Sequence, residues 1–148
     1  MKNLKLTIDS SPEYIEAEIC IRCCTIDKTI QDVIDLVQNK KTTLSVQQDG
    51  ATRMIPINSV YYLESVDDKT FVYCKDNVFS CGLKLYEAEK MLADTSFVRI
   101  SKACILNIDV LDSVKMMING KMEAALDNGE KLIINRHYVP AFKKKFGM

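Results

Sequence analysis

The sequence has little of what most enzymes use for catalysis. It contains one histidine, His137, and only five glycines, which are scattered. No G-x-S-x-G, G-x-x-x-x-G-K-(S/T) or G-x-G-x-x-G pattern occurs, so the nucleophile elbows and phosphate-binding loops that these patterns form are excluded. Any mechanism that depends on histidine would have to use this one residue, His137. We therefore predict that the protein is not an enzyme and needs no cofactor.

Long apolar runs are also missing. No segment approaches the roughly 20 apolar residues that a transmembrane helix needs, and residues 1–6 alternate between polar and apolar instead of forming the apolar core of a signal peptide. We predict a cytoplasmic protein. At 148 residues, of which 47% are hydrophobic and 27% charged, the chain suits one globular domain with a small appendage.

Six cysteines include a single C-x-x-C pair, Cys20 and Cys23, without the second pair that a zinc site would need. The two also point to opposite faces of the strand that their neighbours predict, because side chains alternate along a strand. We predict no metal site, and interpret Cys20, Cys23 and Cys24 as buried thiols that behave as small hydrophobic residues. A thiol sensor that uses Cys23 or Cys24 stays open as an alternative.

Net charge is absent too, because 20 basic and 20 acidic residues cancel. This argues against a protein that coats nucleic acid through charge alone. The distribution is uneven, however, since no acid follows Glu130 whereas five bases do: Lys131, Arg136, Lys143, Lys144 and Lys145. Such a tail suits local contact with a polyanion, and equally the C-terminal end of a helix, where lysines interact favourably with the helix dipole.

Residues 1–41 predict a small β-β-α unit. Residues 4–8 and 15–24 alternate between apolar and polar side chains, as half-buried strands do. Asp27 then has the position of a helix N-cap. The helix after it has an apolar stripe at the i, i+3, i+4 and i+7 positions: Ile30, Val33, Ile34 and Val37. Nothing in this unit suggests chemistry, so we predict that it dimerises, packs or receives a signal.

From residue 42 onward the pattern changes to short strands separated by turns. Three dipeptides are typical of β-hairpins: Asp49-Gly50, Asn119-Gly120 and Asn128-Gly129. Short helices are predicted at residues 83–93 and 138–146. The predicted fold class is therefore mainly β (α+β), an antiparallel sheet with short helices, and the predicted domains are residues 1–41 and 42–148.

Three strand ends each present one basic side chain. Lys69, Lys102 and Arg136 lie in or beside short polar segments next to apolar runs and are 33 and 34 residues apart. A rigid loop between buried strands holds a side chain out towards a partner. An arginine there can bind guanine in a bidentate manner, and a lysine can reach its O6 and N7 atoms. The spacing alone does not show that the three basic side chains lie close together in the fold.

Two stretches resemble the LytTR-type DNA-binding domain of bacterial transcription regulators. The family pattern F-x-R-I-H-x-S-x-(I/V)-V-N is similar to residues 97–107, and (V/I)-S-R-x-Y is similar to residues 134–138. The strand Val60-Tyr61-Tyr62-Leu63-Glu64 is similar to the family's I-x-Y-(I/L)-E. Three residues depart from the pattern: Ser101 replaces a histidine, and Ala103 and Asn135 replace serines. The likeness covers about two-thirds of the chain, residues 43–147.

The resemblance implies that DNA is contacted from three loops, which here fall on Lys69, Lys102 and Arg136. We therefore predict a sequence-specific regulator that binds double-stranded DNA at paired or repeated sites as a homodimer. Further residues are predicted to contact the DNA backbone: Ser101, Asn135, Tyr138, Lys143, Lys144 and Lys145. Similarity to small standalone regulators implies a co-encoded inhibitory membrane protein as a second partner.

One alternative from another class stays open. A β-rich protein-interaction module that does not bind DNA would use the apolar stripe of the first helix to bind its partner. Its binding would be indifferent to Lys69, Lys102 and Arg136 and would depend little on salt, whereas DNA binding through these bases falls steeply with salt.

Overall fold

The computed structural model describes residues 3–37 and 43–148. The chain divides into two units, residues 1–40 and 41–148. The domain boundary predicted after residue 41 falls within residues 38–42, which lie outside the described residues.

Within residues 3–37 the first unit has one helix, α1 (Lys28–Val37). Asp27 caps this helix as predicted, since its carboxylate accepts a hydrogen bond from the backbone amide of Ile30 at 3.0 Å. Ile30 is buried, but Val33 and Val37 are 37% and 48% exposed. The apolar stripe of the helix is therefore only partly covered.

The two strands predicted at residues 4–8 and 15–24 are wrong for the single chain. Residues 3–27 contain no strand, and Ile15 and Ile19 are 100% and 64% exposed. Alternation of apolar and polar residues is a local signal, whereas a strand forms only where a neighbouring strand completes its ladder of hydrogen bonds. Neither described sheet includes a strand that pairs with these segments.

The prediction that Cys20, Cys23 and Cys24 are buried is also wrong, because all three are exposed. The missing strand pairing explains this result, since an unpaired segment has no covered face. Cysteines that do pack as small hydrophobic residues lie in the second unit, where Cys81 and Cys104 are buried.

Two antiparallel sheets make up most of the second unit. The larger has seven strands in the order β2-β1-β5-β4-β3-β7-β6: β1 (Thr43–Gln48), β2 (Ala51–Pro56), β3 (Val60–Val66), β4 (Lys69–Cys74), β5 (Val78–Cys81), β6 (Phe97–Ser101) and β7 (Cys104–Asn107). The smaller has the order β10-β9-β8: β8 (Leu111–Met116), β9 (Met122–Leu126) and β10 (Lys131–Ile134). Helices α2 (Leu85–Met91) and α3 (Val139–Phe146) complete the unit. The predicted fold class is confirmed.

The larger sheet is covered on both faces at its strands β3 and β7. Successive side chains of a strand point to opposite faces, so Leu63 of β3 and Ile105 of β7 pack in the cluster that includes α2. Their neighbours Tyr62 and Leu106 pack in a second cluster with the smaller sheet and with Phe142 of α3. β3 and β7 are therefore buried from both sides and position the loops at their ends.

The hairpin turns follow from their residue types. Asp49 and Gly50 have φ angles of 51° and 77°, the left-handed conformation that a type I′ turn requires at both positions. Gly120 and Gly129 have φ angles of 81° and 89°. The amide of each glycine donates to the carbonyl three residues earlier, as in a type I turn that ends in a left-handed residue. All three predicted hairpins are confirmed.

Asn107, at the end of β7, is 1% exposed and connects three segments. Its amide nitrogen donates to the carbonyl of Val60 at 2.9 Å. Its carbonyl oxygen accepts from the hydroxyl of Ser96 at 2.7 Å and from the backbone amide of Asp109 at 3.0 Å. The side chain thus ties the start of β3 to the segments before β6 and after β7.

Removal of this side chain should destabilise the second unit. Asn107→Ala leaves the buried carbonyl of Val60 and the hydroxyl of Ser96 without partners, and each such loss costs about 1–3 kcal/mol. We expect the free energy of unfolding in urea to fall by about 2–4 kcal/mol. Ser96→Ala removes only one of the three bonds and should cost about 1 kcal/mol. An Asn107→Ala cost no greater than that of Ser96→Ala would contradict the proposed role.

Candidate nucleic-acid interface

Lys69 is the first residue of β4 and follows a two-residue turn. Asp67 and Asp68 in that turn have φ angles of 50° and 63°, the conformation of a type I′ turn, which aspartate tolerates better than most residues. The register sets Lys69 opposite Val66 of β3. The two carboxylates therefore belong to turn-forming residues, and Lys69 is exposed at the end of the hairpin.

Lys102 lies in the turn between β6 and β7, at the same end of the sheet. Glu64 of β3 pairs with Cys104 of β7, and the backbone amide of Ser65 donates to the carbonyl of Ala103 at 2.8 Å. The β6–β7 turn therefore lies beside the end of β3 that leads into the β3–β4 turn. Lys102 is exposed there.

Arg136 reaches this end of the sheet through β10. The backbone amide of Asn135 donates to the carbonyl of Ile100 in β6 at 2.9 Å, and Ile100 lies two residues before Lys102. Arg136 follows at once, begins a short 3-10 turn and is exposed. Three loops that are distant in the sequence thus each bring one basic side chain to the same end of the larger sheet. We call this surface, made of Lys69, Lys102 and Arg136, the basic end.

Arg99 holds the turn that contains Lys102. Its Nε donates to the carbonyl of Ser101 at 2.7 Å, and its Nη2 donates to the carbonyl of Lys102. Its Nη1 forms an ion pair with the carboxylate of Glu89 at 3.0 Å. A planar guanidinium can make these three contacts at once. Arg99 is therefore a positioning residue for Lys102, a role that its place in a sequence pattern did not reveal.

The turn between β8 and β9 lies against the side chain of Arg136. A Cβ atom added to Gly120 would lie 2.8 Å from Cδ and 3.2 Å from Cγ of Arg136. The aliphatic part of Arg136 therefore packs on backbone that is bare only because this residue is glycine. The dipeptide predicted the turn, but no local signal connects it with Arg136.

Lys84 adds a basic side chain next to the β3–β4 turn. Its Nζ donates to the backbone carbonyl of Asp68 at 3.0 Å. Lys69 and Lys84 both line an open groove of about 380 Å³, together with Thr70 and Ser80 among others. Sequence reasoning missed Lys84, because the contact depends on how β5 and β4 pair.

The side chains predicted to contact the DNA backbone lie in two places. Ser101 is the last residue of β6, and its hydroxyl accepts from the amide of Ala103 in the β6–β7 turn at 3.2 Å. Asn135 and Tyr138 flank Arg136 and are half-buried. These residues therefore lie beside the basic end.

The other predicted backbone contacts, Lys143, Lys144 and Lys145, are on α3. Lys144 is exposed, whereas Lys143 and Lys145 are half-buried. The Nζ of Lys145 donates to the carbonyls of Ala93 at 2.9 Å and Phe97 at 2.5 Å. Phe97 begins β6 and Lys102 follows its other end, so Lys145 ties α3 to the end of β6 that is distant from Lys102.

Several titratable groups in the second unit stay protonated at neutral pH. The hydroxyl of Tyr61 donates a hydrogen bond to the carboxylate of Asp127 at 2.6 Å, which raises the pKa of Tyr61 to about 12. Burial, together with Glu130, raises the pKa of Tyr62 well above its ordinary value. Burial also raises the pKa of the Cys104 thiol to about 12, which keeps it from forming a reactive thiolate.

Within residues 3–37 and 43–148, no three side chains of His, Cys, Asp or Glu come together as a metal site would require. The described helices have 10, 7 and 8 residues. None of them is long and apolar enough to cross a membrane.

An antiparallel sheet that gathers exposed basic side chains on its loops is suited to bind a polyanion through those loops, without a helix in a groove of the nucleic acid. The chain belongs to the LytTr DNA-binding domain family, whose model matches residues 50–147. A solved structure, the LytTr DNA-binding domain of a putative methyl-accepting/DNA response regulator from Bacillus cereus, is similar with a TM-score of 0.68. It is 25% identical and covers 73% of this chain and 99% of that chain. The family predicted from residues 97–107 and 134–138 is confirmed.

Relatives by sequence include proteins of two lengths. Sensory transduction protein LytR of Staphylococcus haemolyticus is 28% identical over 78% of this chain and 51% of its own length. Sensory transduction protein LytT of Enterococcus faecalis is 22% identical over 74% and 45%. The chain thus spans about half the length of these two relatives. An uncharacterized HTH-type transcriptional regulator of Staphylococcus aureus is 24% identical over 98% of this chain and 99% of its own length.

Loss of the Arg99 contacts should weaken DNA binding without a change in charge. In Arg99→Lys a single ammonium cannot reach both turn carbonyls and Glu89, so the turn around Lys102 loosens. We expect about tenfold weaker binding to a duplex selected by the wild-type protein from a random-sequence library, equivalent to about 1.4 kcal/mol. Arg53→Lys, on an exposed residue of β2, is the matched control. Equal affinities of the two variants would show that Arg99 does not position Lys102.

Two glycines permit a paired test of the Arg136 position. Gly120 and Gly129 have similar positive φ angles, but a Cβ at Gly129 meets nothing within 4 Å. Gly120→Ala and Gly129→Ala should therefore strain the backbone alike, at about 1 kcal/mol each. Only Gly120→Ala displaces Arg136, so only it should weaken binding to the selected duplex, by tenfold or more by our rough estimate. Equal losses in binding would mean that the Gly120 contact does not matter.

Proposed function

We propose that the protein is a sequence-specific transcription regulator that contacts the bases of double-stranded DNA with Lys69, Lys102 and Arg136. The proposal rests on one observation: these three basic side chains are exposed, and three loops bring them to the same end of the larger sheet. Membership of a DNA-binding domain family supports it. The full-length similarity to a protein named as a transcriptional regulator supports the regulatory part.

The contacts that hold Lys102 and Arg136 in position favour binding to the edges of DNA bases. Arg99 fixes the turn of Lys102, and Gly120 lies against the aliphatic part of Arg136. Side chains whose stems are already placed lose less conformational entropy on binding. An arginine placed in this way suits bidentate contact with guanine, and the two lysines act as point charges on acceptor atoms.

Charge at the basic end is limited by neighbouring acids. Asp67 and Asp68 are exposed beside Lys69, and the whole chain has no net charge. Attraction to phosphates that is independent of sequence is therefore weak. The carboxylates themselves match the exocyclic amine of cytosine, a donor in the major groove. This balance favours discrimination between sequences over general adhesion to DNA.

We propose that Ser101, Asn135, Tyr138, Lys143 and Lys144 contact the DNA backbone. Asn135 and Tyr138 flank Arg136, and Ser101 precedes Lys102, so contacts there would set the orientation of the basic end. Lys145 was predicted to join them. Because its ammonium already donates to two backbone carbonyls, we assign Lys145 to the attachment of α3.

The wider role is part of the same proposal. We infer a cytoplasmic homodimer without enzymatic activity that binds paired or repeated sites, and an inhibitory membrane protein encoded beside it as a second partner. The first unit, residues 1–41 by the predicted boundary, would provide dimerisation or regulation. Its exposed Val33 and Val37 on α1 favour a contact with protein in addition to the contact of the second unit with DNA.

Binding titrations over a range of salt concentrations test the assignment. Arg136→Ala should lose about 1–3 kcal/mol on the selected duplex and discriminate less against random sequence. Lys102→Ala should weaken binding in the same sense. Lys144→Ala should weaken binding to both duplexes alike and lower the slope of log affinity against log salt by about one.

Lys75→Ala is the matched control for these variants, because Lys75 is exposed just beyond the other end of β4. It should bind the selected duplex like the wild type. Unchanged specific binding of Arg136→Ala, or a loss in Lys75→Ala equal to that in Lys102→Ala, would overturn the assignment of the basic end.

A further inference from the structure

Exposed apolar side chains are concentrated in the first unit. Of the 21 large apolar side chains that are exposed among the described residues, 11 lie in residues 3–37, which are about a quarter of that part of the chain. Exposed apolar clusters of this kind mark interaction surfaces. The second unit, by contrast, buries its apolar residues in two clusters.

Residues 15–24 have the sequence of a strand but no strand partner among residues 3–37 and 43–148. Ile15, Ala17, Ile19, Ile21 and Cys23 alternate with Glu16, Glu18, Cys20 and Arg22, and all of them are exposed. Such a segment becomes a strand only when another chain completes its hydrogen bonds. The identity of that other chain follows from the charges along the segment.

We propose that residues 15–23 pair antiparallel with the same residues of a second copy, about a twofold axis at Ile19. The pairing sets each residue opposite a compatible one: Ile15 with Cys23, Glu16 with Arg22, Ala17 with Ile21, Glu18 with Cys20, and Ile19 with Ile19. All apolar side chains then share one face, and two Glu16–Arg22 pairs form on the other. A self-complementary patch of this kind is what a twofold dimer requires.

Other registers of the same pairing are less favourable. A shift by one residue sets the apolar face of one strand against the polar face of the other. A shift by two residues in one direction sets Glu18 opposite Glu18, where like charges repel. The same shift in the other direction sets Ile15 opposite Thr25. Only the register about Ile19 matches every apolar side chain with an apolar one.

The helices of the two copies provide a cover for this ribbon. Two strands alone are marginally stable in water and need a helix or further strands on their apolar face. The half-exposed stripe of α1, with Val33 and Val37, offers apolar surface of that kind. The dimer interface thus consists of residues 15–23 and the stripe of α1 from each copy.

This inference deepens the homodimer of the proposed function, and its test needs no DNA. Two variants are mixed, Glu16→Arg and Arg22→Glu, and dimers are measured by native mass spectrometry and sedimentation of the intact chain. Each variant alone opposes like charges twice, so the dissociation constant of its dimer should be about tenfold higher or more. Mixed, they form two Glu–Arg pairs, so the heterodimer should form nearly as well as the wild-type dimer.

Glu18→Arg is the matched control, because Glu18 faces Cys20 in the proposed register. It should not form heterodimers preferentially with Arg22→Glu. Preference of Arg22→Glu for Glu18→Arg over Glu16→Arg would overturn the register, and a monomeric wild type would overturn the dimer. Neither result would contradict the proposed DNA contacts of the second unit, which the salt titrations test separately.

A second measurement does not depend on charge. With Cys20, Cys23 and Cys24 replaced by serine, Ile19→Cys sets two thiols directly opposite each other, at a Cα separation of about 4.5–5.5 Å that suits a disulfide. Oxidised glutathione, which accepts the two electrons and two protons, should then link the dimer. Ala17→Cys faces Ile21 and should not link. Equal crosslinking of both variants would contradict a pairing about Ile19.

Discussion

The antiparallel pairing of β3 with β7 is the constraint on which the rest of the second unit depends. It sets Tyr62 opposite Leu106 and Glu64 opposite Cys104, and so brings the β3–β4 and β6–β7 turns to one end of the sheet. Both strands are buried on both faces, and Asn107 locks their far ends together. Because both turns are only two residues long, little freedom remains in where Lys69 and Lys102 lie.

Much of this arrangement was predictable from the sequence, because it depends on local chemistry. Turn dipeptides such as Asn119-Gly120 and the alternation in β3 to β5 locate the strands of the second unit. The basic residues on the loops were identifiable because they lie between apolar runs. The contacts that support them were not, since Arg99 with Glu89 and Gly120 with Arg136 are tertiary. The donation from Lys145 to Phe97 depends in the same way on how α3 packs on β6.

The failure at residues 4–8 and 15–24 has a different physical cause. Periodicity reports which side chains could share a face, but a strand also needs a neighbour for its backbone groups. In the second unit the neighbour is always another segment of the same chain. In the first unit none of the described residues provides one. A correct local pattern therefore produced a wrong secondary structure, and the exposed Cys20, Cys23 and Cys24 are a consequence of it.

A neutral chain with few base contacts has a limited affinity for one DNA site. Each good base contact is worth about 1–3 kcal/mol, and without a strong general attraction to phosphates the three proposed contacts would not hold one domain firmly. Linking two such domains makes the second binding event intramolecular, which raises the overall affinity by orders of magnitude without new contacts. Discrimination also increases, because both sites must match. In the proposed homodimer, the first unit would therefore act on DNA binding by joining two basic ends.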